Sequence, residues 1–132
     1  MACLPTRMTT FLLASTSVHT TAAIADYLAP RLSDDDTVVV LGVATSETPD
    51  RDLGDAGNVA RARLAPATVD VKRRAGDPAT EMLAAAADVE ADEILLGPRR
   101  GTPDQRGKPG LGSTAETVAA ESDRPVVVVP SA

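Results

Sequence analysis

The chain alternates short apolar runs with amphipathic stretches. Phe11-Leu12-Leu13-Ala14 is a continuous apolar run, as in a strand buried on both faces. It gives way to the polar cluster Ser15-Thr16-Ser17. Val18, Ala22, Ala25, Ala29 and Leu32 then recur at helical spacing, widened by Ile24 and Leu28, so a helix is expected from Thr20 to Leu32. The run Asp34-Asp35-Asp36 closes it and reads as a solvated turn, since it lacks the spacing of a calcium loop. Thr37 to Val43 is a second buried strand, centred on the β-branched run Val38-Val39-Val40. Thr45 to Gly57 is rich in Asp and Gly and reads as loop, with a short helix from Asn58 to Leu64. Val69 and Val71 alternate with polar residues over Thr68 to Arg73, the pattern of a strand near a sheet edge.

Asp77 and Pro78 mark the next helix start: the carboxylate can cap free N–H groups, and proline at the first helical position loses nothing. Ala79, Met82, Leu83, Ala86 and Val89 form its inward stripe. Glu93 to Leu96 is another buried strand, ended by Gly97. A helix follows from Thr114 to Glu121, and Val126 to Val129 is the last strand. This order implies one α/β domain: a mainly parallel, open sheet with right-handed crossovers and helices on both faces. In such sheets ligands bind outside the carboxyl ends of the strands, where the strand order reverses. Ser15-Thr16-Ser17, Val43-Ala44-Thr45 and the loop after Leu96 lie at that rim.

Composition narrows the partners. The chain has 132 residues, of which 43% are hydrophobic but only 2% aromatic, so Val, Leu, Ile and Ala must build the core. Aromatic platforms for stacking bases are all but missing. A net charge of -6 repels a phosphate backbone, which argues against nucleic acid. Only Lys72 and Lys108 are lysines. An acidic, lysine-poor surface suits a salt-rich cytoplasm, and a GC-biased genome explains the same composition. The single Cys3 excludes an intrachain disulfide. No apolar run approaches the ~18 residues of a membrane span, and Met1 to Arg7 has no secretory pattern, so a cytoplasmic protein is expected. Residues 1–9 read as a short leader, with Met8 an alternative start, and 10–132 as the domain.

The loop from Gly97 to Ser113 is the sharpest anomaly. It carries Gly97, Gly101, Gly107, Gly110 and Gly112, and sets Arg99, Arg100, Arg106 and Lys108 against one acid, Asp104. Glycines let backbone N–H groups approach a ligand closely. The helix that follows offers free N–H groups and the positive end of its dipole, and Arg and Lys add charge-assisted hydrogen bonds. An anion, most naturally a phosphate chain, fits that chemistry. A purely structural reading also stands: Ser113-Thr114-Ala115-Glu116 is a capping box. The Walker A and dinucleotide glycine patterns are both absent. His19 is the sole histidine and reads as a surface residue at a helix start. No acid/base constellation points to catalysis.

Leu95-Leu96-Gly97, the later Leu111-Gly112-Ser113-Thr114-Ala115-Glu116, the start Ala75-Gly76-Asp77-Pro78 and the close Asp123-Arg124-Pro125-Val126-Val127-Val128-Val129-Pro130 together resemble the universal stress protein family, from Phe11 to Pro130. The arginine-rich loop and acidic composition look most like its archaeal salt-loving members. The resemblance implies a five-stranded parallel sheet of order 3-2-1-4-5, the adenine-nucleotide alpha-hydrolase-like fold. It implies a stress-response module that binds ATP or a related adenine nucleotide, with no metal beyond nucleotide-associated magnesium. It implies a homodimer paired through Val126, Val127, Val128 and Val129.

By the same resemblance, Gly97, Gly112, Ser113 and Thr114 match positions that hold ribose and phosphates, and Val43 the position beside adenine. Ala14, Ser15, Thr16 and Leu96 complete the rim, and Arg99, Arg100, Gly101 and Lys108 supply the basic loop. Two departures stand out. Ser15 replaces the aspartate of nucleotide binders, keeping a donor and an acceptor but losing charge. Arg100 falls at the middle glycine, with Gly101 one residue late, and the stretch to Gly112 is two residues longer than the family pattern. A ligand-independent interaction module is the alternative, and a slow nucleotide hydrolase a weaker third, since no general base is evident.

Overall fold

A computed structural model describes residues 9–14, 18–33, 35–44, 50–64, 67–97 and 113–129. Strand β1 spans Thr10–Ala14, followed by helix α1 (Val18–Leu28) and a 3-10 turn (Ala29–Arg31). Next come β2 (Thr37–Ala44), α2 (Asp50–Leu64), β3 (Thr68–Ala75), α3 (Pro78–Asp88), β4 (Glu93–Leu96), α4 (Ser113–Glu121) and β5 (Val126–Val128). The five strands form one parallel sheet of order β3-β2-β1-β4-β5. That is the class and order expected.

Period-two alternation divides the core between the two faces of the sheet. On one face Leu12, Ala14, Val39, Leu41, Val43, Ile94 and Leu96 pack against α3 and α4 through Ala79, Met82, Ala86, Ala115 and Val118. On the other, Phe11, Leu13, Val38, Val40 and Leu95 pack against α1 and α2 through Ile24, Leu28, Ala60 and Leu64. Small alanines on the helices let them lie close to a sheet of large aliphatic side chains.

Three local expectations need correction. The stretch read as loop up to Gly57 is helical from Asp50, so α2 begins well before Asn58. Its Asp and Gly residues are poor helix formers, but burial of Ala56, Ala60 and Leu64 outweighs that preference. Gly57 has a packing reason: a Cβ there would stand 3.0 Å from Val71 Cγ2 of β3. Second, α1 starts at Val18 and gives way after Leu28 to the 3-10 turn instead of reaching Leu32. Pro30 has no N–H to continue the α-helical ladder. Third, Asp36 is not solvated. It is buried, and its two carboxylate oxygens accept the backbone N–H groups of Thr9 (3.1 Å) and Ser33 (3.0 Å). Asp92 does the same for Thr10 N–H at 2.9 Å. These two aspartates fasten the amino end of β1.

Candidate functional site: the carboxyl-end rim between β1 and β4

β1 and β4 are parallel neighbours, with Ala14 opposite Leu96. The chain leaves them in opposite directions. α1 goes to the face of Phe11 and Leu13, whereas α4 goes to the face of Leu12 and Ala14. Their carboxyl ends are therefore the reversal point of the strand order, the place outside which open α/β sheets bind ligands.

The structure brings Ala14, Val43 and Leu96 together on one face, toward α3 and α4. Ala14 lies opposite Leu41, so Val43 stands further along β2 toward the rim. Their side chains are almost fully covered, at 2%, 1% and 3% exposure. What these strand ends can offer a ligand is mainly backbone, and a hydrophobic floor beneath it.

Gly97 follows β4 directly. A Cβ there would lie 2.5 Å from Thr20 Cγ2 of α1 and 3.5 Å from the Val129 carbonyl. The first turn of α1 and the end of β5 thus close on this residue from two sides. Val129 N–H donates to the Leu96 carbonyl at 2.8 Å, prolonging the contact beyond β5. α4 starts at Ser113 with its amino end at the rim, where free N–H groups and the helix dipole favour negative charge. Thr114 is half-buried in that first turn, above the buried Ala115 and Val118. Ser15, Thr16, Arg99, Arg100, Gly101, Lys108 and Gly112 lie outside the described residues, as do the side chains of Ser113 and His19; so, therefore, does the capping box at Ser113.

The perturbed charges among the described residues lie away from the reversal point. Arg74 is opposite Val43 in register, and its pKa is raised chiefly by its hydrogen bond to Asp88, with Glu81 adding to it. That guanidinium is therefore held by α3 and not by the rim. Asp77 is kept below the usual carboxylate range by the Thr80 backbone N–H it accepts, then by the Thr80 hydroxyl. Among the described residues no cluster of His, Cys, Asp and Glu gathers to hold a metal, and no helix is long and apolar enough to cross a membrane. Sequence reasoning did not single out Thr20. A lone threonine in a helix carries no mark of its contact with a glycine after another strand.

The family model for the universal stress protein family matches residues 12–130. No curated protein matches the chain. Solved structures share its fold. A universal stress protein in complex with cAMP superposes with a TM-score of 0.72 at 20% identity, covering 95% of this chain and 98% of that one. A universal stress protein from Archaeoglobus fulgidus in complex with dAMP gives 0.61 at 19% identity, covering 93% and 98%. A family protein from Arabidopsis thaliana with AMP bound gives 0.65 at 12% identity, covering 94% and 92%. At these identities the likeness is one of fold.

Proposed function

This chain belongs to the universal stress protein family, and from that premise we propose that it binds an adenine nucleotide at the rim between β1 and β4. The observation that carries the reading is the reversal of strand order at this point, with the amino end of α4 facing the rim. Support comes from relatives of the same fold solved with cAMP, dAMP and AMP. Adenine lies by the backbone at Val43, ribose and phosphates by Gly97, Gly112, Ser113 and Thr114. Ala14, Ser15, Thr16 and Leu96 line the opposite wall. Arg99, Arg100 and Lys108, with Gly101 between them in sequence, supply the positive charge that Ser15 does not need to balance. ATP is the nucleotide that such a basic loop suits, with magnesium arriving only on its phosphates. The module acts without catalysis in the cytoplasm, as a dimer paired along Val126, Val127, Val128 and Val129.

Titration calorimetry with AMP, ADP and ATP at low and high salt tests this. Heat that saturates, growing with phosphate number at low salt, is expected; no heat at millimolar nucleotide sinks the reading. Replacing Arg99, Arg100 and Lys108 by Ala weakens ATP binding by about 1 to 3 kcal/mol per lost charged hydrogen bond. Unchanged affinity would remove the basic loop from the site. Light scattering that finds only monomer at micromolar concentration counts against the β5 dimer.

A second reading has one observation in its favour. The close approach of Thr20 to Gly97 demands glycine there with no ligand at all. The rim loop would then recognise an acidic protein partner, and nucleotide would leave both heat and melting temperature unchanged.

A further inference from the structure

The strands of the sheet are not equally held. In β1 Phe11 to Ala14 are all buried, as are Ile94 to Leu96 in β4. β3 buries none of its residues: Val69, Val71 and Arg74 are half-covered, and the others are exposed. The helix beside it is little better anchored. Among the described side chains α2 buries Ala56, Ala60 and Leu64, two small and one large, with Gly57 set against Val71 of β3. Hydrophobic stabilisation follows the apolar area removed from water, so this flank holds less tightly than the centre of the sheet.

On the other face, Asp70, Lys72 and Arg74 stand beside Val39, Leu41 and Val43, under α3. Of these three, only Arg74 bonds to that helix among the described residues. Its guanidinium is hydrogen-bonded to Asp88 and lies 3.7 Å from Glu81. Those two acids are about two helical turns apart on α3. One side chain thus ties the edge strand to the helix above it.

We propose that α2 and β3 form a flank that opens as one unit while the rest of the sheet stays folded, with Arg74 as its latch. Their contacts make the opening joint. Loss of α2 uncovers Val69 and Val71, and loss of β3 leaves Gly57 with no strand beneath it. What remains still has both faces covered. α3 and α4 keep Leu12, Val39 and Ile94, and α1 keeps Phe11, Leu13 and Leu95 through Ile24 and Leu28. Folded domains open locally in such cooperative pieces, most readily where few apolar contacts hold them. This inference does not rest on the nucleotide reading.

Native-state hydrogen exchange of the full-length chain, resolved by residue with NMR, tests it. Thr68 N–H donates to the Asp36 carbonyl at 3.1 Å, so by alternation the amides of Asp70, Lys72 and Arg74 also face β2. Corrected for intrinsic rates, these amides and those of Ala60 and Leu64 should report one common opening. It should be at least about tenfold more populated than the opening that exposes Leu12, Leu13 and Leu95. Val118→Ala thins the packing of α4, across the sheet from α2. It weakens the closed and the flank-open forms alike. Exchange at Leu12, Leu13 and Leu95 should therefore rise about tenfold, with α2 and β3 unchanged. Val126→Ala, at a half-buried position of β5, is a milder change with the same expected pattern. Arg74→Gln keeps most of the stem and removes the charge, so flank exchange should rise about two- to fivefold. Equal acceleration of flank and core by Val118→Ala and Val126→Ala overturns the proposal. So does a flank as protected as β1, or a β3 that opens without α2. Flank exchange unchanged in Arg74→Gln removes Arg74 as the latch.

Discussion

Gly97 has no room for a side chain. A β-carbon would meet Thr20 Cγ2 at 2.5 Å, nearer than a real Cβ contact comes. Gly97→Ala should therefore destabilise the domain by about 1 to 3 kcal/mol, the usual range for overpacking. Thr20→Ser removes the offending methyl, so Thr20→Ser/Gly97→Ala should recover much of the loss in a urea titration. If the serine does not help, the strain lies elsewhere. Glu90 is the opposite case, a residue where glycine would serve better. It sits at φ 52, just past α3, where Ala91 N–H returns to the Ala86 carbonyl at 2.9 Å. Left-handed backbone at a helix end is glycine's position, so Glu90→Gly should raise stability by about 1 kcal/mol. The urea midpoint should rise with its slope unchanged. Neither contact was legible in the sequence. The Gly97 contact is with Thr20, which is distant along the chain, and Glu90 carries no turn signal.

Helix α3 was legible because its start is written locally. Asp77 accepts Thr80 N–H at 3.0 Å and the Thr80 hydroxyl at 2.8 Å, and Pro78 occupies the first turn. Its bonds to Thr80 hold the folded Asp77 below the ordinary carboxylate range. The contribution to stability is therefore complete above the unfolded value and is lost as pH falls through the lowered folded one. Asp77→Ala should melt below the parent at pH 7, with the gap narrowing in acid as the parent loses its charged cap. A gap that stays constant with pH would show that the charge contributes nothing. α2 was legible only from Asn58, since Asp50, Asp52, Gly54, Asp55 and Gly57 argue against a helix by propensity. What sustains it is contact with β3 and α1, including the Arg63–Asp26 pair at 2.8 Å. Such support comes from residues remote in sequence, so no local window contains it.

For the molecule as a whole, the alternation of strand and helix gave the parallel sheet and its two covered faces. It could not order the strands: Phe11 to Ala14, Val38 to Leu41 and Ile94 to Leu96 are interchangeable as apolar runs. The order came instead from the motifs after β4 and before β5, which resemble the family to which the chain belongs. The two ends of the sheet differ in kind. At the amino end, Asp36 and Asp92 tie β1 to its neighbours by side-chain bonds to backbone. Arg31 there stacks on Tyr27 at 5.3 Å and Phe11 at 6.0 Å and pairs with Glu93 at 3.5 Å, using both aromatic residues of the chain. The carboxyl end is where the strand order reverses, so the fastening and the candidate site are at opposite poles. If nucleotide binds at the proposed rim, that separation should make stability and binding independently mutable. Asp36→Asn tests it: an amide has one accepting oxygen where the carboxylate has two, so either Thr9 or Ser33 N–H loses its buried partner. Unfolding free energy should fall by about 1 to 3 kcal/mol, while nucleotide affinity, measured well below the new melting temperature, stays at the parent value. Affinity that falls together with stability would mean that the rim depends on the clasp at the far end of β1.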